Sequence, residues 1–116
     1  MEFEHYTISL LVTNPEAPEL SEEEAGAVQD AHLSHLADLH ESGRLLAVGP
    51  LRDGGELRGL SILRVGPEEA AALAEADPAV QAGVFRVRTI PWLVPAGAMH
   101  FTPTRLPRSR ADVAGD

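Results

Sequence analysis

Three imidazoles crowd one short stretch. In AHLSHLADLHESGRLLAVGP, residues 31–50, His32, His35 and His40 fall within nine positions. Imidazole is the side chain that exchanges a proton near neutral pH. Held beside a carboxylate, it serves as a general base, because the carboxylate orients the ring and stabilises the imidazolium. The same spacing raises a metal site. His32 with His35, or His35 with Asp38 or His40, could share an ion. The H-E-x-x-H pattern and cysteine pairs that mark common metal sites are both missing, so a metal cofactor is not expected.

The element carrying the histidines is read as a helix. Ser21 followed by Glu24 is a capping box, and Glu22 to Glu24 suit the positive end of a helix dipole. The helix runs to about Ser42, where Gly43 offers a left-handed stop. At about 100° per residue, Ala25, Val28, Leu36 and Leu39 share one apolar stripe, and His32 lies in its middle. His35 and His40 fall towards the two borders and read as solvated flank residues. His32 is therefore the candidate. The competing reading is a core histidine satisfied by a backbone carbonyl.

Among eighteen acidic residues, Asp77 stands apart. The glutamates at 22–24 and 68–69 are explained by helix starts, and Asp53 by a turn. Asp77 lies between a helix and Pro78, which restrains its backbone. Capping the turn that begins at Pro78 would account for it fully. Periodicity cannot bring it to His32.

The remaining elements follow from punctuation. Residues 5–13 are rich in β-formers and stop before Asn14-Pro15. Residues 44–49 form a short apolar strand closed by Pro50, and Asp53-Gly54-Gly55 marks a hairpin turn. Residues 60–65 are a third strand, and residues 67–75 an alanine-rich helix with Pro67 in its first turn. Residues 84–94 read as a fourth strand, with Pro91 indicating an edge or a bulge. The domain spans residues 1–95. Residues 96–116 read as an irregular arm, disordered over about its last eight positions. The order β-α-β-β-α-β implies a ferredoxin-like α+β domain: a four-stranded antiparallel sheet with two helices on one face. The bare face is expected to meet a second copy in a homodimer.

The bulk numbers exclude several classes. All nine basic residues are arginine and the formal charge is −9, which argues against a nucleic-acid partner and an anionic membrane surface. With no cysteine, thiol chemistry is impossible. No apolar run approaches the ~18 residues of a membrane span, and no basic-then-apolar leader is visible, so a cytoplasmic protein is expected.

In this order and spacing the motifs resemble the YCII-related (YciI-like) family. They are His32 on the helix, then Gly43, Leu45, Gly49 and Pro50, then Asp77, Pro78 and Gly83. The resemblance covers most of residues 5–94 and implies a dimeric α+β barrel of two ferredoxin-like sheets. It also implies a His–Asp pair beside a pocket, carried here by His32 and Asp77. One branch of the family is associated with dehydrochlorination of a hydroxylated aromatic ring without metal or organic cofactor. The chain departs from shorter members in its acidic loop before the first helix, in its arm, and in Ala79, where an aromatic residue commonly follows Asp-Pro.

The expected function is a cofactor-independent lyase or isomerase in which Asp77 orients His32 for proton transfer. Gly49 and Pro50 would line the pocket, since glycine permits close approach. The ligand would be a small molecule, anionic or aromatic, attracted by Arg86 or Arg88. Two alternatives stand beside this reading: a non-catalytic ligand-binding or interaction module, and a cofactor-free oxygenase-like protein.

Overall fold

The computed structural model describes residues 1–115. Their elements run β1 (Phe3–Thr13), α1 (Glu22–Glu41), β2 (Leu45–Pro50), β3 (Leu57–Leu63), α2 (Pro67–Glu75), α3 (Pro78–Gln81), β4 (Phe85–Pro95) and α4 (Arg110–Ala114). The strands form one antiparallel sheet in the order β2-β3-β1-β4. This is the expected ferredoxin-like α+β arrangement.

The local signals act as read. The Ser21 hydroxyl accepts from the Glu24 amide, and the Glu24 carboxylate accepts from the Ser21 amide. Gly43, at φ +82°, ends the first helix in the left-handed region. Proline on the edge strand is tolerated, and Pro91 lies there opposite Thr7. The third strand is displaced from residues 60–65 to Leu57–Leu63. The long β1 recruits its start, pairing Val12 with Leu57, while the Thr13 amide donates to the Glu56 carbonyl. At the other end the Val65 carbonyl accepts from the buried Thr7 hydroxyl at 2.7 Å, so its acceptor is used outside the ladder.

Strand alternation gives the sheet two faces. Thr7, Ser9 and Leu11 share one face with Leu63, Ser61 and Gly59, and this face meets the helices. Leu39, Leu45, Leu63 and Ala70 form the buried core there, with Leu36, Val48 and Leu106 packed against it. The opposite face carries Ile8, Leu10, Leu60, Ile62, Ile90 and Trp92. Phe101 of the arm meets Tyr6 edge-on at one end of this face, with ring centroids 5.8 Å apart. Ile90 and Trp92 remain about one-third exposed.

The arm departs from its expected disorder. Leu106 packs against the core, and residues 110–114 form α4, capped by the Ser109 hydroxyl accepting from the Asp112 amide at 3.1 Å. Asp116, the last position of that expectation, lies outside the described residues. Ion pairs hold the arm along α1: Arg108 to Asp38 and Glu41, each at 2.9 Å, and Arg110 to Asp30 at 3.1 Å. This contact also explains why Gly26 and Ala37, both off the expected apolar stripe, are buried. The Arg110 guanidinium lies over Gly26, where an added Cβ would come within 2.5 Å of it. Arg108 reaches Ser34, Asp38 and Glu41, which surround Ala37 on the helix surface.

The docking of α4 is acid-sensitive in a defined direction. Hydrogen bonds from Arg110 hold the Asp30 carboxyl below its ordinary value of 3.8. A carboxylate depressed in the folded state contributes stability that is fully present above its ordinary value. That contribution is lost as pH falls through the lowered value. The Arg110 backbone N–H donates to Asp30 Oδ1 at 2.8 Å, so its NMR shift reports the contact. It should stay constant from neutrality down to about pH 4 and move only below that. A midpoint at or above 3.8 would contradict the pairing.

Candidate active site

The hydrophobic stripe of α1 turns His32 towards the sheet, where it is 7% exposed. His35 and His40 are partly buried. Asp77 is 3% exposed and sits where α2 ends and α3 begins. The His32 Nδ1–H donates to the Asp77 carboxylate, at 2.9 Å from Oδ1 and 2.8 Å from Oδ2. An ionised carboxylate only accepts, so this contact places the proton of a neutral ring on Nδ1. Asp77 Oδ1 also accepts from the Ala79 N–H at 2.9 Å, making Asp77 the N-cap of α3. Turn cap and histidine partner are therefore one residue, and the cap fixes the carboxylate that fixes the ring.

The other ring nitrogen is left for chemistry. His32 Nε2 has no hydrogen-bond partner among the described residues, and none of their buried side-chain nitrogens or oxygens lacks a partner, so Nε2 is not sealed in. His32 and Asp77 lie in the wall of a cavity of about 570 Å³ between α1, the sheet and the arm. A neutral imidazole with Nδ1 tied to a carboxylate and Nε2 open to a cavity is arranged to accept a proton there. Phe85 flanks the ring, with centroids 6.5 Å apart.

Gly49 and Pro50 are in the cavity wall. A Cβ at Gly49 would meet nothing within 4 Å, so the protein's own packing does not demand glycine there.

Three expectations are corrected by the fold. His35 is not a solvated flank residue, because α2 packs on that side and the Leu73 carbonyl accepts from its Nε2–H at 3.0 Å. His40 is likewise occupied: Nδ1–H donates to the Leu45 carbonyl at 2.8 Å, and Nε2 accepts from the Thr104 N–H at 3.0 Å. Arg86 and Arg88 pair with Val12 and Leu10 on the face turned away from the cavity, and Arg86 meets Glu16 at 3.5 Å. The arginines that line the cavity are Arg58 on β3 and Arg110 on α4. The register shift opposite Leu11 and Val12 leaves Arg58 as an extra residue in β3, which no period of two marks, and α4 was hidden by proline- and arginine-rich composition. Its signal was the Ser109-x-x-Asp112 capping spacing.

Among the described residues no three His, Cys, Asp or Glu side chains gather as a metal-holding group. Among them, no helix is long and apolar enough to cross a membrane.

Comparison with known proteins places this geometry. No curated protein matches the chain in sequence. Among solved structures, the chain is similar to 5-chloro-2-hydroxyhydroquinone dehydrochlorinase from Burkholderia phenoliruptrix AC1100, solved in complex with 2,5-dihydroxybenzoquinone. The identity is 20%, with 79% of this chain and 95% of that one covered and a TM-score of 0.53, which is a likeness of fold. It is also similar to the uncharacterized protein TM1266 from Thermotoga maritima, at 22% identity over 78% of this chain and 98% of that one, with a TM-score of 0.40. The family model described as "YCII-related domain" matches residues 9–93, from the middle of β1 through His32 and Asp77 to β4. The chain belongs to the YCII-related family.

Proposed function

We propose that the protein is a cofactor-independent small-molecule enzyme of the lyase or isomerase kind, with His32 as general base and Asp77 as its positioning partner. The observation that carries this reading is the division of labour on one ring: Nδ1 tied to Asp77, Nε2 open to the cavity. Neutral Nε2 takes a proton from a ligand carbon or hydroxyl. The electron pair left behind forms a new double bond. In a lyase, a leaving group departs from the adjacent carbon with its bonding pair; in an isomerase, the proton returns at another atom. Asp77 stabilises the imidazolium between these steps. The dehydrochlorinase whose fold this chain shares supports a lyase over other classes.

The test is a thermal-shift screen of hydroxylated aromatics, beginning with 2,5-dihydroxybenzoquinone, followed by turnover of any hit. Binding should survive His32→Gln, whereas turnover should fall by roughly 10²–10⁴. A ligand bound equally by both proteins and turned over by neither would favour a binding module. That second reading has its own support, because capping α3 already gives Asp77 a structural task.

The helix-free sheet face supports a homodimer of the barrel type. Its apolar side chains, with Ile90 and Trp92 exposed, would be covered by the same face of a second copy. Sedimentation at micromolar concentration should give twice the chain mass, and Ile62→Asp should give a monomer. A wild-type monomer would remove the barrel.

A further inference from the structure

The described chain carries many more acids than bases, with a formal charge of −9 overall, yet the wall of the His32 cavity has the opposite balance. Its charged side chains are Arg58, Arg110 and Asp77. Asp77 is already committed, with His32 and the Ala79 amide on its oxygens. Of the other titratable lining residues, His35 donates to the Leu73 carbonyl. Among the described residues, the exposed Arg58 side chain makes no ion pair or hydrogen bond.

Arg110 is held rather than spent. Its Nε donates to Asp30 Oδ1 at 3.1 Å and its Nη2 to Oδ2 at 3.3 Å, while Nη1 has no partner among the described residues. Gly26 gives the guanidinium its seat, since any larger residue would put a Cβ into it. Fixing the group before a ligand arrives lowers the ordering cost of using its free donors. Both arginines lie at the end of the cavity formed by the start of α1 and the β2–β3 hairpin. The rest of the wall is mostly apolar and includes Leu11, Leu36, Val48, Phe85, Leu106 and Val113.

We propose that the cavity takes a small organic anion with an apolar body, and that Arg58 and Arg110 recognise its charged group while the body lies towards His32. The inference rests on the cavity being the ligand site argued above, and it names the ligand class. It also gives the arm a task. Arg110, Leu106 and Val113 all lie beyond residues 9–93, so ligand specificity is built from a segment outside the family-matched domain. An ion in a field set by excess acids needs such a local clamp, because the long-range potential repels it.

A matched pair of fluorescent probes separates charge from shape. Anilinonaphthalene sulfonate and neutral phenylnaphthylamine share one aromatic body and differ by the sulfonate. At low ionic strength the wild type should bind the sulfonate about tenfold more tightly than the neutral probe, as one charge-assisted contact warrants. Arg58→Gln and Arg110→Gln should each remove most of that preference, and Arg58→Gln should leave the neutral probe unchanged. Arg58 is exposed, so its variant folds whatever happens to α4, and Arg110→Lys tests charge without the Asp30 fork. Salt should erode the preference in the wild type alone. No preference in the wild type, or a preference untouched by both glutamine variants, would overturn the proposal. The catalytic reading fails separately: anion preference would persist in His32→Gln even if that variant lost no turnover.

Discussion

Asp77→Asn should move the proton of His32 from Nδ1 to Nε2 and abolish general-base function while leaving the protein folded. The cap decides which way the asparagine points. Oδ1, 2.9 Å from Nδ1, must keep accepting the Ala79 N–H at 2.9 Å, so the amide NH₂ takes the place of Oδ2, the nearer partner of Nδ1 at 2.8 Å. Two donors cannot face each other, and the neutral ring answers by exchanging tautomers. Nε2 then presents a proton to the cavity instead of a lone pair. The ¹⁵N shifts of the His32 ring should show Nδ1–H in the wild type and Nε2–H in the variant. Turnover should fall by about 10²–10⁴, the range expected when a positioned base is lost or held in the wrong tautomer. Asp77→Ala is the contrasting case. It removes the cap and strands a buried donor, costing about 2–4 kcal/mol in total. An unchanged tautomer in Asp77→Asn, with the fold intact, would reduce Asp77 to a turn cap and promote the binding-module reading.

Leu45→Ala should produce the largest loss of stability among single changes near the site, about 2–5 kcal/mol in urea unfolding with an unaltered slope. Leu45 is 1% exposed and sits at the start of β2, packed with Leu39 of α1 and Leu63 of β3. The same side chain lines the cavity. Truncation therefore enlarges the space beneath α1, which already lacks atoms to collapse into it. Against a typical total of about 5–15 kcal/mol, the loss is severe. A change below 1 kcal/mol would mean that the core is centred elsewhere.

Much of this protein was legible because its signals are local. A capping box starts α1, Gly43 stops it, Pro67 opens α2, and alternating β-formers mark β1. A helix has one period, so the burial of His32 relative to His35 and His40 could be read from spacing alone. Boundaries were less secure, because a strand's length depends on its partner: β3 begins at Leu57 on account of β1, not of its own residues.

Contacts between distant elements were decided only by the tertiary structure. His32 and Asp77 are 45 residues apart, and no periodicity links them; family-like motifs suggested the pair, and the packing of α1 against the α2–α3 corner brings it together. His35 and His40 looked solvated because a helical wheel sees one helix and not the neighbours on its flanks. The arginines show the same limit. Arg86 and Arg88 were reasonable anion ligands by type, but strand alternation put them on the far face. Arg110 reached the cavity through an arm whose composition suggested disorder, because Leu106 packed against the core and Gly26 left room for a guanidinium on α1. Local order follows from backbone and period, which a sequence states openly. The identity of a site follows from which side chains meet across loops, and that is set by the burial of the whole chain.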